Sequence, residues 1–186
     1  ITGKNEKGEL QLEGGWQNNR PMGIHPENRM VENIFEELDA PGEWYYDKQE
    51  GWLYYYPLSD ENINELVFET PQLKNLIEIA GTSSHPVKNI TIEGIELTQT
   101  IRTFMEHYEP LLRSDWTIYR GGAVIFRGTE KCTLRDCYIH HVGGNGVFFD
   151  KYNRNSAVTG SYLTSIGASA ICFVGDVAGV RSPSFR

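Results

Sequence analysis

The sequence predicts an all-β chain, a right-handed parallel β-helix preceded by a leading segment that carries a β-hairpin. Three observations point there: a gapless internal repeat, glycine-marked turns at fixed places within it, and a composition rich in strand formers and turn residues. Of 186 residues, 19 are Gly and 10 are Tyr, the profile of a turn-rich β protein. The repeat decides the class. Residues 133–149 lie over 157–173 without a gap, at an offset of 24. Leu134 then meets Val158, Ile139 meets Leu163, Val142 meets Ile166, Gly143 meets Gly167 and Val147 meets Ile171. An earlier copy runs through 90–97 and resumes at 123–126, after an insertion over about 101–120. Short strands repeating in the low twenties, with no helical pattern between them, mean stacked coils. Leucine-rich repeats share this period, but their Leu/Asn framework is absent.

Each coil is expected to lie about 4.8 Å from the next, with inward side chains stacked on one another. Alternation then assigns faces: Val147, Phe149, Ile171 and Phe173 point in, whereas Phe148, Asp150, Cys172 and Val174 point out.

The leading segment, 1–66, is different in kind. Gly14-Gly15, Arg20-Pro21, His25-Pro26 and Ala40-Pro41-Gly42 punctuate it as loops. The stretch 31–38 reads as a short helix or an extended edge. Residues 43–47 and 52–56 are aromatic runs around a four-residue turn, a hairpin signal. Their rings serve either cross-strand packing or sugar stacking. Residues 67–186 hold the coils, read as truncated at the C-terminal side, where open strand edges would favour oligomerisation or a cap.

Charge and motifs exclude several functions. The net charge of −8 argues against nucleic acid, whose phosphates need a Lys/Arg excess. No run of eighteen apolar residues is present, so no membrane-spanning helix is expected. The 3 cysteines make no disulfide framework, and Cys132 and Cys137 lack zinc spacing. No phosphate-binding loop, nucleophile elbow or metalloprotease helix occurs. Asn89-Ile90-Thr91 is a formal glycosylation sequon, a tripeptide that also arises by chance.

Carboxylates are the best candidates for chemistry, because cleaving a glycosidic bond needs an acid and a base or nucleophile. Asp150 ends one strand. Asp176 ends the equivalent strand one coil later and two positions further along, about 8 Å away at the backbone. Solvated turn aspartates would look the same. Asp136, at a turn position in register with Gly94 and Gly160, is either a reserve partner or a turn cap. His140 and His141, beside Gly143-Gly144, are sugar-binding or surface histidines. Asn145 aligns with Ser169 at a glycine-flanked turn, which suits a turn role. Arg127 aligns with Asp150 one coil below, and an arginine there favours the charged carboxylate of a base or nucleophile. In a lyase, Arg127 would instead take the proton alpha to a uronate carboxylate, and calcium would be the expected cofactor. The insertion, with His107, Tyr108, Glu109, Trp116 and Tyr119, either walls a groove or packs over the flank.

The segment Val31-Glu32-Asn33-Ile34-Phe35-Glu36-Glu37-Leu38-Asp39-Ala40-Pro41-Gly42-Glu43-Trp44-Tyr45-Tyr46-Asp47, followed by Leu53-Tyr54-Tyr55-Tyr56-Pro57, resembles the opening of bacterial parallel β-helix carbohydrate-active proteins. The nearest match is glycoside hydrolase family 141, and the resemblance runs from about Gly8 to Asp176. It implies secreted or periplasmic enzymes acting on plant polysaccharides, with fucosidase and xylanase activities, no cofactor, and two catalytic acids on the helix groove. On this chain the acids map onto Asp150 and Asp176, with Asp136 in reserve. His140, His141, Arg127, Trp116 and Asp136 are the expected substrate contacts. Family members are much longer than this chain. The alternatives are a pectate-type lyase and a non-catalytic glycan-binding module resting on Trp116, Tyr119 and His107.

Overall fold

The computed structural model describes residues 3–11, 32–104, 106, 108–110 and 117–176. The chain divides into two compact units, 1–21 together with 70–186, and 22–69.

The second of these is built on the aromatic hairpin. Strands β1 (Gly3–Lys4) and β2 (Leu10–Gln11), which pair antiparallel, belong to the other unit; β3 (Trp44–Asp47) and β4 (Trp52–Tyr55) form the hairpin. Asp47 closes its turn, its Oδ1 accepting from the backbone N–H of Gln49 and Glu50 at 2.8 and 3.1 Å. Asn33 acts as a short stand-in for a third strand, since its side-chain amide both donates to and accepts from the Tyr46 backbone. The Phe35 ring, on a single 3-10 turn at Phe35–Glu37, meets Tyr45 and Tyr54 edge-on at 5.2 and 5.3 Å. This face of the hairpin therefore packs ring against ring.

The other unit is all β, and its sheets are mostly parallel. In chain order its strands are β5 (Ile77–Ala80), β6 (Val87–Lys88), β7 (Thr91–Glu93), β8 (Glu96–Thr100), β9 (Glu109–Pro110) and β10 (Thr117–Ile118). There follow β11 (Val124–Glu130), β12 (Thr133–Arg135), β13 (Tyr138–Val142), β14 (Val147–Arg154), β15 (Ala157–Thr159), β16 (Tyr162–Ile166) and β17 (Ile171–Val174). Three parallel sheets result: β5-β11-β14-β17 with β6 also on β11, β7-β12-β15, and β8-β13-β16. Each pass of the chain visits the three in the same order. The register is the one the repeat predicts: Leu134 opposite Val158 and Ile92, Ile139 opposite Leu163 and Leu97, Val147 opposite Ile171 and Val124.

The inner core follows from alternation. Val124, Phe126, Leu134, Ile139, Val142, Val147 and Phe149 form one buried cluster between the sheets. Phe126, Phe149 and Phe173 stack in a column, with ring centroids 4.8 and 4.2 Å apart and planes within 11° and 3°. Cys132 and Cys137 are buried structural residues. Their Sγ atoms sit near backbone carbonyls, and the hydroxyls of Ser156 and Ser161 on the next pass accept from their backbone N–H.

The chain turns between sheets on residues in the left-handed region, and the same place is used in each pass. Asn89, Lys131 and Asn155 form one such set, with φ between 52° and 58°. Gly94, Asp136 and Gly160 form the second; Gln99, His141 and Ser165 repeat in the same way but lie within β8, β13 and β16, where the pairing skips one residue. Holding a non-glycine residue there costs roughly 1–2 kcal/mol. The parallel pairing on either side offsets that cost. Even at the corners the backbone stays bonded to the next pass: Lys131 donates to the Arg154 carbonyl and Asp136 to that of Thr159.

Gly128 shows where sterics add to this. Its φ is +60°, and a Cβ there would lie 2.2 Å from the Gly81 carbonyl carbon, a clash with backbone that no rotamer relieves. Gly94 has a similar φ and open space around it. Gly128→Ala is expected to cost about 3 kcal/mol, the upper end for overpacking, and Gly94→Ala about 1 kcal/mol. Urea midpoints of the two variants check this, and equal losses would refute the steric account.

Candidate functional site

The outward side of the β5-β11-β14-β17 sheet carries the site. Alternation sends Ile125, Phe148 and Cys172 outward, and these form a second, smaller buried cluster, packed against by Ile118 of β10 and by Val174. The chain returning from the insertion thus lies over this sheet. Of the two roles the sequence left open for the insertion, packing over the flank is visible in β10. Burial raises the ionisation threshold of the Cys172 thiol.

Further along the same strands, the outward positions hold charge. Arg127 and Asp150 are directly opposite one another, as their alignment predicts. Arg127 Nε donates to Asp150 Oδ2 at 2.6 Å, and its Nη1 donates to Glu78 Oε1 of β5 at 2.8 Å. Arg120, arriving from the insertion, donates through Nη1 to Asp150 Oδ1 at 2.6 Å. Its Nε binds Glu109 of β9, and its Nη2 donates to the Gly175 carbonyl at 2.9 Å. The charges therefore alternate along one line: Glu109, Arg120, Asp150, Arg127, Glu78.

Burial grades this line. Asp150 is 2% exposed and Arg120 16%, while Glu109, Arg127 and Glu78 lie between 35% and 40%. A carboxylate removed from water is tolerable only when paired and hydrogen-bonded, and both oxygens of Asp150 are. Burial works against the Arg120 charge, but the hydrogen bonds to Glu109 and Asp150 outweigh it and hold the guanidinium above its ordinary value. The Asp150 backbone carbonyl is fixed as well, by Asn153 Nδ2 at 2.9 Å.

The remaining candidates are distributed elsewhere. Asp176 is exposed and follows β17 by two residues, past the Val174 that pairs with Asp150. Asp136 occupies a left-handed corner, on the turn between β12 and β13 rather than among the charged line. Asn145 is a turn residue: its Nδ2 donates to the carbonyls of Tyr119 and Gly121, and its Oδ1 accepts from Ser169. Trp116 and His107 lie outside the described residues.

His140 and His141 sit on a different sheet. His140 faces outward from β13, its Nε2 2.6 Å from Glu96 Oε1 and its Nδ1 2.6 Å from His141 Nδ1. Its ring stacks on Tyr138 at 4.2 Å, and Tyr138 stacks on Tyr162 of the next pass. This aromatic and imidazole patch on β8-β13-β16 is a unit of its own, with hydroxyls at Thr98 and Thr164 in register beside His140.

Sequence reasoning missed Arg120, Glu109 as its partner, and Glu78. Alternation on β5 would have marked Glu78 as outward once residues 77–80 were aligned with 124–127. Arg120 lies in the insertion, where no repeat copy exists to align. Among the described residues, no helix is long and apolar enough to cross a membrane. No family model, curated protein or solved structure matches this chain.

Proposed function

We propose that the three parallel sheets are the faces of a right-handed parallel β-helix and that this chain is part of a carbohydrate-active protein. It would cleave glycosidic bonds in plant-type polysaccharides, in the manner of fucosidase- or xylanase-type hydrolases of the secreted or periplasmic compartment. The observation that carries this is the placement of Asp150 and the strand end leading to Asp176 on one sheet face, on adjacent strands and beside the returning insertion. Glycoside hydrolysis requires one carboxyl group as acid and a second as base or nucleophile, the roles assigned here to Asp176 and Asp150.

In this reading Asp176 protonates the leaving oxygen. Asp150 is base or nucleophile, bonded by Arg127 and Arg120 until a substrate group takes over one of those hydrogen bonds. Arg127 suits a lyase base poorly, because its Nε and Nη1 are both engaged in donating to Asp150 and Glu78. The stacked Tyr138, Tyr162 and His140 support a further role in holding a sugar chain.

A product assay tests the reading. Reducing ends and ultraviolet absorbance are followed together on fucosylated, xylosyl and uronate polysaccharides. Reducing ends without absorbance are expected. Asp176→Asn should lower turnover about 10²–10⁴-fold, the range for removing a general acid or base. Asp150→Asn, assayed below its own unfolding transition, should do the same. Absorbance appearing with the reducing ends would establish a lyase instead, and wild-type turnover in both variants would remove these residues from catalysis.

A further inference from the structure

We propose that Arg120 is a positioning residue that sets Asp150 against the backbone leading to Asp176; this rests on the reading of those two aspartates as the working pair. Arg120 is the point at which three separate pieces of chain meet. Its Nε reaches Glu109 on β9, its Nη1 reaches the Asp150 side chain on β14, and its Nη2 reaches the Gly175 carbonyl beyond β17. Nη1 also lies 3.5 Å from the Val174 carbonyl, the residue in register with Asp150. One planar group thus spans a register pair from the outside, touching the side chain of one member and the backbone of the other.

The chemistry of the group explains why arginine stands here. A guanidinium offers several donors in a rigid fork, so fixing one N–H on Asp150 fixes where the others point. A lysine ammonium could satisfy Asp150 and would lose the fork that reaches Gly175. The second anchor matters because β17 is bonded on its β14 side, and Asp176 follows only one residue after the held carbonyl. Two residues before Arg120, Ile118 packs on the cluster containing Cys172. Loosening Arg120 therefore loosens the cover over the Cys172 thiol, which is 8% exposed.

Arg120→Lys and Arg120→Gln test this with two independent readings. In an active protein, Arg120→Lys should lower kcat about 10²-fold with little change in KM, the cost of a misplaced reacting group. Arg120→Gln should lower it at least as far. Independently of activity, thiol labelling followed by peptide mass should show Cys172 reacting about tenfold faster in both variants, with Cys132 and Cys137 unchanged in the inner core. Equal acceleration at all three cysteines in Arg120→Gln would report global unfolding, and Arg120→Lys then decides the matter. Wild-type kcat in Arg120→Lys, or wild-type labelling of Cys172, would overturn the proposal. If the native protein turns over no glycan while Cys172 labelling still rises, the functional reading fails and the anchoring role of Arg120 stands.

Discussion

Asp150→Asn is expected to lower the stability of the repeat-bearing unit by about 3–5 kcal/mol, the cost of breaking a buried pair by removing one partner. The carboxylate is 2% exposed and receives a guanidinium N–H on each oxygen. An amide keeps one acceptor and turns an N–H toward the other arginine, so Arg120, itself only 16% exposed, is left facing a donor. Arg127→Gln should cost less, since Arg120 still pairs with Asp150 through Oδ1 and the lost guanidinium is itself 36% exposed. Denaturant unfolding of both variants checks the asymmetry. A loss below about 1 kcal/mol for Asp150→Asn would mean that the pair behaves as a surface salt bridge, with water reaching the carboxylate.

Phe149→Ala should cost about 3–5 kcal/mol, the usual range for emptying a buried aromatic site. Phe149 is 1% exposed and lies between Phe126 and Phe173 in the inner column, so its removal opens a gap with rings on both sides. The neighbours cannot close it, because each is pinned by its own strand to the parallel register. Phe173→Ala makes the contrast. That ring is 68% exposed, and its loss should change stability by about 0.5 kcal/mol. Thermal midpoints of the two variants side by side would decide, and comparable shifts would show that the column does not carry the core.

Much of the fold was legible because strands that pair in parallel with their own repeat copies write their register into the chain. Ile139 over Leu163 and Val147 over Ile171 are both alignment and contact. The corners were legible only in part. Gly94, Gly160, Asn89 and Asn155 are residues that adopt the left-handed region readily, but Lys131 is not. There the pairing of the flanking strands overrides local preference. The first strand of the Asp150 sheet was missed, since residues 77–80 are separated from their copy by the insertion. The site divides the same way. Arg127 beside Asp150 follows from alignment, whereas Arg120 has no copy to align with. Alternation also says whether a side chain points out, but not which of three outward faces it shares. For that reason His140 and His141 were grouped with Asp150, and the structure puts them on another sheet.

The spacing between passes has a consequence for how such a chain can change over time. Strands in register are 23 or 24 residues apart where nothing intervenes, and 42 for β7 and β12, which lie on either side of the insertion. Extra residues are taken up between paired stretches while the strands keep their register: Arg127 pairs with Ala80 and Thr129 with Val87, so the link from β5 to β6 is longer than its counterpart at Gly128. The corner between β8 and β11 does the same on a larger scale, with β8 and β11 both paired in their sheets on either side of the insertion. Evolutionary novelty in this architecture is therefore channelled to the links between paired strands, and one such link delivers Arg120 onto Asp150.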